Sequence, residues 1–141
     1  MESSRTVIDA SFLLKLFLPE EKSDAAHRLW SSWIDDAVEI AAPTLLIFEA
    51  ASVVRNKVHR RIIGEDDASE IIERMKRMDL TLVYTDDLLD AAWEVGARLK
   101  SAALYDCFYL ALADLLDAPL WTADKRLYQS AKGEFSAVNL L

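Results

Sequence analysis

Strands and helices alternate along the whole of this sequence, which predicts an α/β domain with a parallel sheet and helices on both faces. Three observations carry the expectation. Short β-favouring runs such as Arg5-Thr6-Val7-Ile8 and Leu80-Thr81-Leu82-Val83-Tyr84 are each followed by longer stretches with apolar residues at helical spacing. Acidic residues fall directly after strands, at the edge where open α/β sheets bind their ligands. The 141 residues are 52% hydrophobic with only three Gly and three Pro, so one domain over 1–141 can bury a sizeable core, and no repeat or low-complexity run divides it.

The elements follow in order. Arg5 to Ile8 is a short buried strand that ends at Asp9. Ser11 to Leu18 is a short helix stopped by Pro19, and Ser11 can either bond the Asp9 carboxylate or cap that helix. Ser23 to about Asp36 is a second helix, with Ser23 as its N-cap and Ala26, Leu29, Trp30, Trp33 and Ile34 as its apolar face. Its tryptophans read as core or interface packing before ligand stacking. Val38 to Ala41 is a second strand, closed by Pro43. Thr44 to about Arg60 is a third helix, whose apolar surface comes from Leu45, Leu46, Phe48, Ala51, Ser52 and Val53.

Asp67 to Met78 is a fourth helix with Ile71, Ile72 and Met75 inward, and Leu80 to Tyr84 a third strand, expected to be buried. Asp86 to Lys100 is a fifth helix capped at Thr85 or Asp86; Asp86 and Asp87 read first as capping charges. Over Tyr105 to Leu116 the apolar residues Tyr105, Phe108, Tyr109, Leu112, Leu115 and Leu116 predict a helix with one buried face. Asp117-Ala118-Pro119 ends it, since the residue before a proline leaves the α region. Leu120 to Thr122 is a strand, Asp124 to Ala131 a helix, and Ala137 to Leu140 the last strand.

Several function classes are disfavoured. A net charge of −8 argues against broad electrostatic wrapping of nucleic acid, although bound metal can invert the field at a small site. Cys107 is the sole cysteine, so it forms no disulfide within the chain and reads as a small buried residue. His27 and His59 lack zinc-ligand spacing, and there is no Gly-rich phosphate loop. The apolar run Val7 to Leu18 is interrupted by Asp9 and Lys15, is too short to span a bilayer and is followed by no cleavage site; no membrane and a cytoplasmic location are expected. The densest basic run, Arg55, Lys57, His59, Arg60 and Arg61, closes the third helix. It reads as cations favoured at a helix C-terminus, or as a contact for phosphates or an acidic partner. Arg55, Arg60, Arg61 and Lys125 are the candidates for that contact.

Four acids stand out: Asp9, Glu49, Asp106 and Asp124. Asp9 and Asp124 follow strands. Asp106 lies in the first turn of its helix, where the macrodipole favours an anion and an Asp is most often a simple cap. Glu49 falls in a mostly apolar half-helix and needs water, a partner or an ion there, because a buried free carboxylate is costly. Two carboxylates about 4 Å apart repel by roughly 1 to 4 kcal/mol. A hard divalent cation removes that strain, and carboxylate oxygens suit Mg²⁺ or Mn²⁺.

The stretches VIDASFLLKLFLPE (7–20), LLIFEAASVV (45–54), YDCFYLALA (105–113) and TADKRL (122–127) resemble, in order, the four signature blocks of PIN-domain ribonucleases. They are most similar to the VapC-type toxins of bacterial and archaeal toxin–antitoxin pairs. The resemblance covers nearly the whole chain and implies a three-layer α/β/α sandwich. It implies a Mg²⁺- or Mn²⁺-dependent endoribonuclease acting on single-stranded RNA, with a cognate antitoxin protein as partner and a homodimer as the common assembly. By motif, Asp9 and Asp106 carry over as principal metal ligands and Asp124 as a further ligand. Glu49 carries over as an acid that binds metal or orients the attacking water, and Ser11 and Thr122 as supporting hydroxyls. The competing possibility is a PIN-like module that holds RNA or a protein without cutting it. A phospho-acceptor domain would need an acidic pair after the first strand and a late lysine; Ala10 follows Asp9, and Lys125 follows Asp124 too closely. A flap-type DNA nuclease would need a longer chain with more acids.

Overall fold

Five strands run parallel in the order β3-β2-β1-β4-β5 in the computed structural model, which describes residues 4–141; the first three positions of the expected 1–141 domain lie outside the described residues. The elements are β1 (Arg5–Ile8), α1 (Ala10–Phe17), α2 (Ser23–Asp35), β2 (Glu39–Pro43), α3 (Leu45–His59) and α4 (Glu65–Lys76). They continue as β3 (Thr81–Val83), α5 (Asp86–Leu99), α6 (Tyr105–Leu116), β4 (Leu120–Thr122), α7 (Lys125–Ala131) and β5 (Val138–Leu140). This is the expected α/β/α sandwich.

β1 is the axis of the sheet. Val7 is in register with Ala41 of β2 on one side and Leu120 of β4 on the other. Thr6, Val7 and Ile8 are all buried, as a central parallel strand with both faces covered requires. Helix α6 packs across β1, β2 and β4, and α5 lies over α6. The Leu104 side chain, just ahead of α6, rests on Gly96 of α5: a Cβ there would stand 2.5 Å from Leu104 Cδ2, so that methyl would have to turn aside. On the α1 side, Phe12 of α1 stacks at 5.3 Å from Trp33 of α2, which in turn lies 6.5 Å from Trp121 of β4. Trp33 and Trp30 therefore pack as read from the sequence, whereas Ile34 of the same expected face is exposed.

Other expectations are corrected by the tertiary arrangement. β3 is the open edge of the sheet, with Thr81 and Leu82 exposed, instead of a buried strand. Helix α6 is buried nearly all round, on Cys107, Tyr109, Leu110, Ala111, Leu112 and Ala113, because α5 covers the side that the sheet does not. Tyr105 and Leu115 of its expected face are exposed instead. On α3 the buried residues are Leu46, Ala50 and Val54, while Phe48, Ser52 and Val53 face outward. The N-cap of α2 is Lys22, not Ser23; the Ser23 hydroxyl donates to Leu18 O and accepts from Glu20 N. Helix α6 stops at Asp117 itself, which adopts the left-handed conformation (φ 49°), two residues before the proline. Thr85 caps α5, its hydroxyl accepting from Leu88 N.

Candidate active site

The strand order fixes where a site can form. From β1 the chain winds outward through β2 and β3, then returns to the other side of β1 to lay down β4 and β5. The gap between the carboxyl ends of β1 and β4 is thus a topological switch point, where ligands of open α/β sheets bind. Asp9 leaves β1 there, and Asp124 follows β4.

Asp9 is the N-cap of α1 and is only 5% exposed. Its Oδ1 accepts from the Ser11 hydroxyl at 2.7 Å and from Phe12 N at 2.9 Å. Its Oδ2 accepts from the Thr122 hydroxyl at 2.5 Å. Ser11 and Thr122 also hold the opposite strand end, the first accepting from Ala123 N at 2.9 Å and the second from Asp124 N at 3.0 Å. Two hydroxyls and one carboxylate thereby clasp the β1–α1 junction to the β4–α7 junction. Three donors against about four lone-pair positions leave one acceptor position on Oδ2. Asp124 caps α7, its Oδ1 accepting from Arg126 N and Leu127 N, with Oδ2 outside these bonds.

The other two acids arrive on helices. Asp106 sits in the first turn of α6, and its carboxylate makes no hydrogen bond or ion pair among the described residues. Glu49, half-buried on the second turn of α3, accepts a hydrogen bond at 2.5 Å from the hydroxyl of Tyr109, itself on α6.

Electrostatics tie the four together. Burial pushes the Asp9 carboxyl up to about 6 against the combined pull of its three hydrogen bonds, and the charge of Asp106 adds to the rise. Asp106 lies at the rim, yet partial shielding of its carboxyl and the charge of Asp124 hold it above the usual carboxylate range. Arg126 partly offsets this. Glu49 is raised by burial and by Asp106, with the Tyr109 hydrogen bond working the other way. Asp106 is thus the hub, in electrostatic reach of each of the other three.

The four acids share one region, but among the described residues no three His, Cys, Asp or Glu side chains stand close enough to form a metal-binding group by themselves. The basic candidates lie apart. Arg55 is paired with Glu65 at 2.7 Å. Arg60 and Arg61 close the far end of α3, roughly 16 Å along its axis from Glu49 at 1.5 Å per residue. Lys125 is exposed at the start of α7, beside Asp124.

Two residues of this region escaped the sequence reading. Arg126 acts on Asp106; its placement two residues after a capping Asp, in the first turn of a helix at a strand end, was the available signal. The sequence marks Tyr109 only as part of an apolar face. The signal there was its hydroxyl, which needs an acceptor wherever the ring is buried.

The family model described as PIN domain matches residues 6–133. The chain is 31% identical over 127 residues to Ribonuclease VapC3 of Pyrobaculum aerophilum, covering 87% of this chain and 92% of that protein. It is 31% identical over 128 residues to Ribonuclease VapC9 of Mycobacterium tuberculosis, covering 91% and 92% respectively. Among solved structures it is similar to VapC20 of M. tuberculosis, a Sarcin-Ricin loop cleaving toxin, with a TM-score of 0.67, 18% identity and coverage of 92% of this chain and 95% of that one. It is also similar to VapBC-5 of M. tuberculosis, a member of the VapBC family of toxin–antitoxin systems, with a TM-score of 0.57, 16% identity and coverage of 98% of both chains. At these identities the structural likenesses establish the fold.

Proposed function

This chain belongs to the PIN-domain family, among its VapC ribonucleases, and from that premise we propose that it is a metal-dependent endoribonuclease, the toxin of a type II toxin–antitoxin pair, that cuts single-stranded RNA. The observation that carries the proposal is the meeting of Asp9, Glu49, Asp106 and Asp124 at the switch point, each of the other three within electrostatic reach of Asp106. Asp9, Glu49 and Asp106, each held above its ordinary pKa by burial and by a neighbouring carboxylate, favour the arrival of positive charge.

The donor set fits Mg²⁺ or Mn²⁺, since every candidate atom is a hard carboxylate oxygen. Asp106 has no competing partner among the described residues, Asp9 keeps one acceptor position, and Asp124 keeps Oδ2. Mg²⁺ keeps several of its waters, so the acids around it need not all touch the ion directly. Asp9, Asp106 and Asp124 are the residues that would hold the ion. When bound, a divalent cation lowers the pKa of water and offsets the charge that develops on phosphoryl oxygens.

The protein's own groups do the rest. Glu49 orients the attacking water and accepts its proton; the water oxygen forms a new bond to phosphorus, the P–O ester bond opposite breaks, and a proton passes to the departing oxygen. Ser11 and Thr122 hold Asp9 in place. Arg126 and Lys125 lie next to Asp124 and supply positive charge for the RNA backbone, whereas Arg55, Arg60 and Arg61 serve a more distant stretch of RNA or a protein partner. The partners proposed are single-stranded RNA, a cognate antitoxin and a second copy of the chain, in the cytoplasm. No helix among the described residues is long and apolar enough to cross a membrane.

The test is cleavage of a single-stranded RNA with Mg²⁺ or Mn²⁺ against EDTA, for the wild type and Asp106→Asn. We expect the variant to keep its fold, since Asp106 is exposed, and to lose on the order of 100-fold or more in rate. Binding of RNA without cutting, or full activity of Asp106→Asn, would remove the proposed chemistry.

A further inference from the structure

Tyr109 is 1% exposed and is the largest fully buried side chain of the core. Its neighbours along α6, Leu110, Ala111, Leu112 and Ala113, are apolar and equally enclosed. A phenylalanine would fill the same space without the cost of taking a hydroxyl out of water. The hydroxyl is used: it donates at 2.5 Å to Oε1 of Glu49, which comes from α3, sixty residues away in sequence. No other hydrogen bond or ion pair to the Glu49 carboxylate forms among the described residues.

Helical register explains what the bond does. Tyr109 follows Asp106 by three residues, so both project from one face of α6. Holding Glu49 by the Tyr109 hydroxyl therefore holds it beside Asp106, although the like charges repel. The chemistry of the holder matters as well. A lysine or arginine would pair the carboxylate and neutralise it. A phenol donates one proton to one oxygen and leaves both the charge and Oε2. Burial, the bond to Glu49 and the charges of Glu49, Asp9 and Asp106 all push the phenol's own ionisation upward, so it remains a donor.

We propose that Tyr109 is a positioning residue: its buried hydroxyl holds the Glu49 carboxylate beside Asp106, in the place from which Glu49 orients the attacking water, without touching RNA itself. This rests on the ribonuclease function proposed above and adds to it a residue outside the four acids.

The experiment is a double-mutant cycle on the full chain with Tyr109→Phe, Glu49→Ala and the double variant. Cleavage of a single-stranded RNA with Mn²⁺ gives kcat and KM, and thermal melts in EDTA read the same bond without catalysis. Tyr109→Phe keeps the ring, so we expect a native circular dichroism spectrum, kcat lowered on the order of 10- to 100-fold and KM unchanged. In the Glu49→Ala background the same change should have no further effect on kcat, and the shifts in melting temperature should be non-additive. A wild-type rate for Tyr109→Phe, or an equal loss with and without Glu49, would show a packing role and overturn the proposal alone. A wild-type chain that cuts no RNA overturns the ribonuclease function and this proposal with it. Should Tyr109→Phe melt below the assay temperature, Glu49→Asp asks the question from the other end. It keeps the acid but draws it one methylene back from the hydroxyl, and a wild-type rate for that variant would equally overturn the proposal.

Discussion

Replacing Asp9 by asparagine should stabilise the metal-free protein at neutral pH, and the gain should vanish in acid. Asp9 is buried, and its carboxyl is raised from the ordinary 3.8 to about 6. A group whose folded pKa lies above its unfolded one contributes stability that is fully present below the unfolded value and lost as pH rises through the folded value. The relevant window is therefore pH 3.8 to about 6. At 1.36 kcal/mol per pH unit, the charged Asp9 weighs against the fold by about 3 kcal/mol at pH 7.5. Asparagine carries no charge. Its oxygen can accept from Ser11 and Phe12 N as Oδ1 does, and its amide can donate to the Thr122 hydroxyl oxygen. Urea unfolding of wild type and Asp9→Asn in EDTA, at pH 4, 5, 6 and 7.5, measures the difference. The difference in stability should shift in favour of Asp9→Asn by up to about 3 kcal/mol between pH 4 and 7.5, roughly 10 °C in melting temperature for a chain of this length. A difference that does not change with pH, or that moves the other way, would refute the assignment of a charge held in place against its burial.

Two further outcomes check other parts of the molecule. Millimolar Mg²⁺ or Mn²⁺ should stabilise the wild type by linkage, by about 1.4 kcal/mol when the ion is near ten times its dissociation constant, and so raise its melting temperature; differential scanning fluorimetry should show the shift shrinking in Asp106→Asn, and equal shifts in both proteins would separate the ion from Asp106. Trp33→Ala removes the ring that Phe12, Trp30 and Trp121 pack against and should cost about 3 to 5 kcal/mol in urea unfolding, while a loss under 1 kcal/mol would mean that the aromatic cluster contributes little.

The parts of the fold legible in the sequence are those set by local chemistry. Helix α6 and strand β4 occupy the spans that periodicity and β-propensity mark, Tyr105–Leu116 and Leu120–Thr122. Thr85 caps α5 as its side chain allows. What escaped depends on neighbours that a segment cannot name for itself. The composition of β3 reads like that of a buried strand, yet its place at the sheet margin exposes it. The periodicity of α6 marks one apolar stripe, but α5 covers the opposite side, so small residues there are buried too. The site follows the same division. Acids after strands could be read from position alone, and Glu49 could be read as needing a partner. That the partner is a tyrosine from α6 is a fact of how α3 and α6 meet.

The order of the strands also governs when the site can be assembled. β1 is made first but needs β4 as its second neighbour, more than a hundred residues later, so that pairing closes a long loop and belongs late in folding. The amino-terminal half can pair β1 with β2 and β2 with β3 while synthesis continues. Asp9 meanwhile waits for Thr122. The junction that holds Asp9 is therefore complete only once the chain has passed Asp124 and β4 has closed against β1.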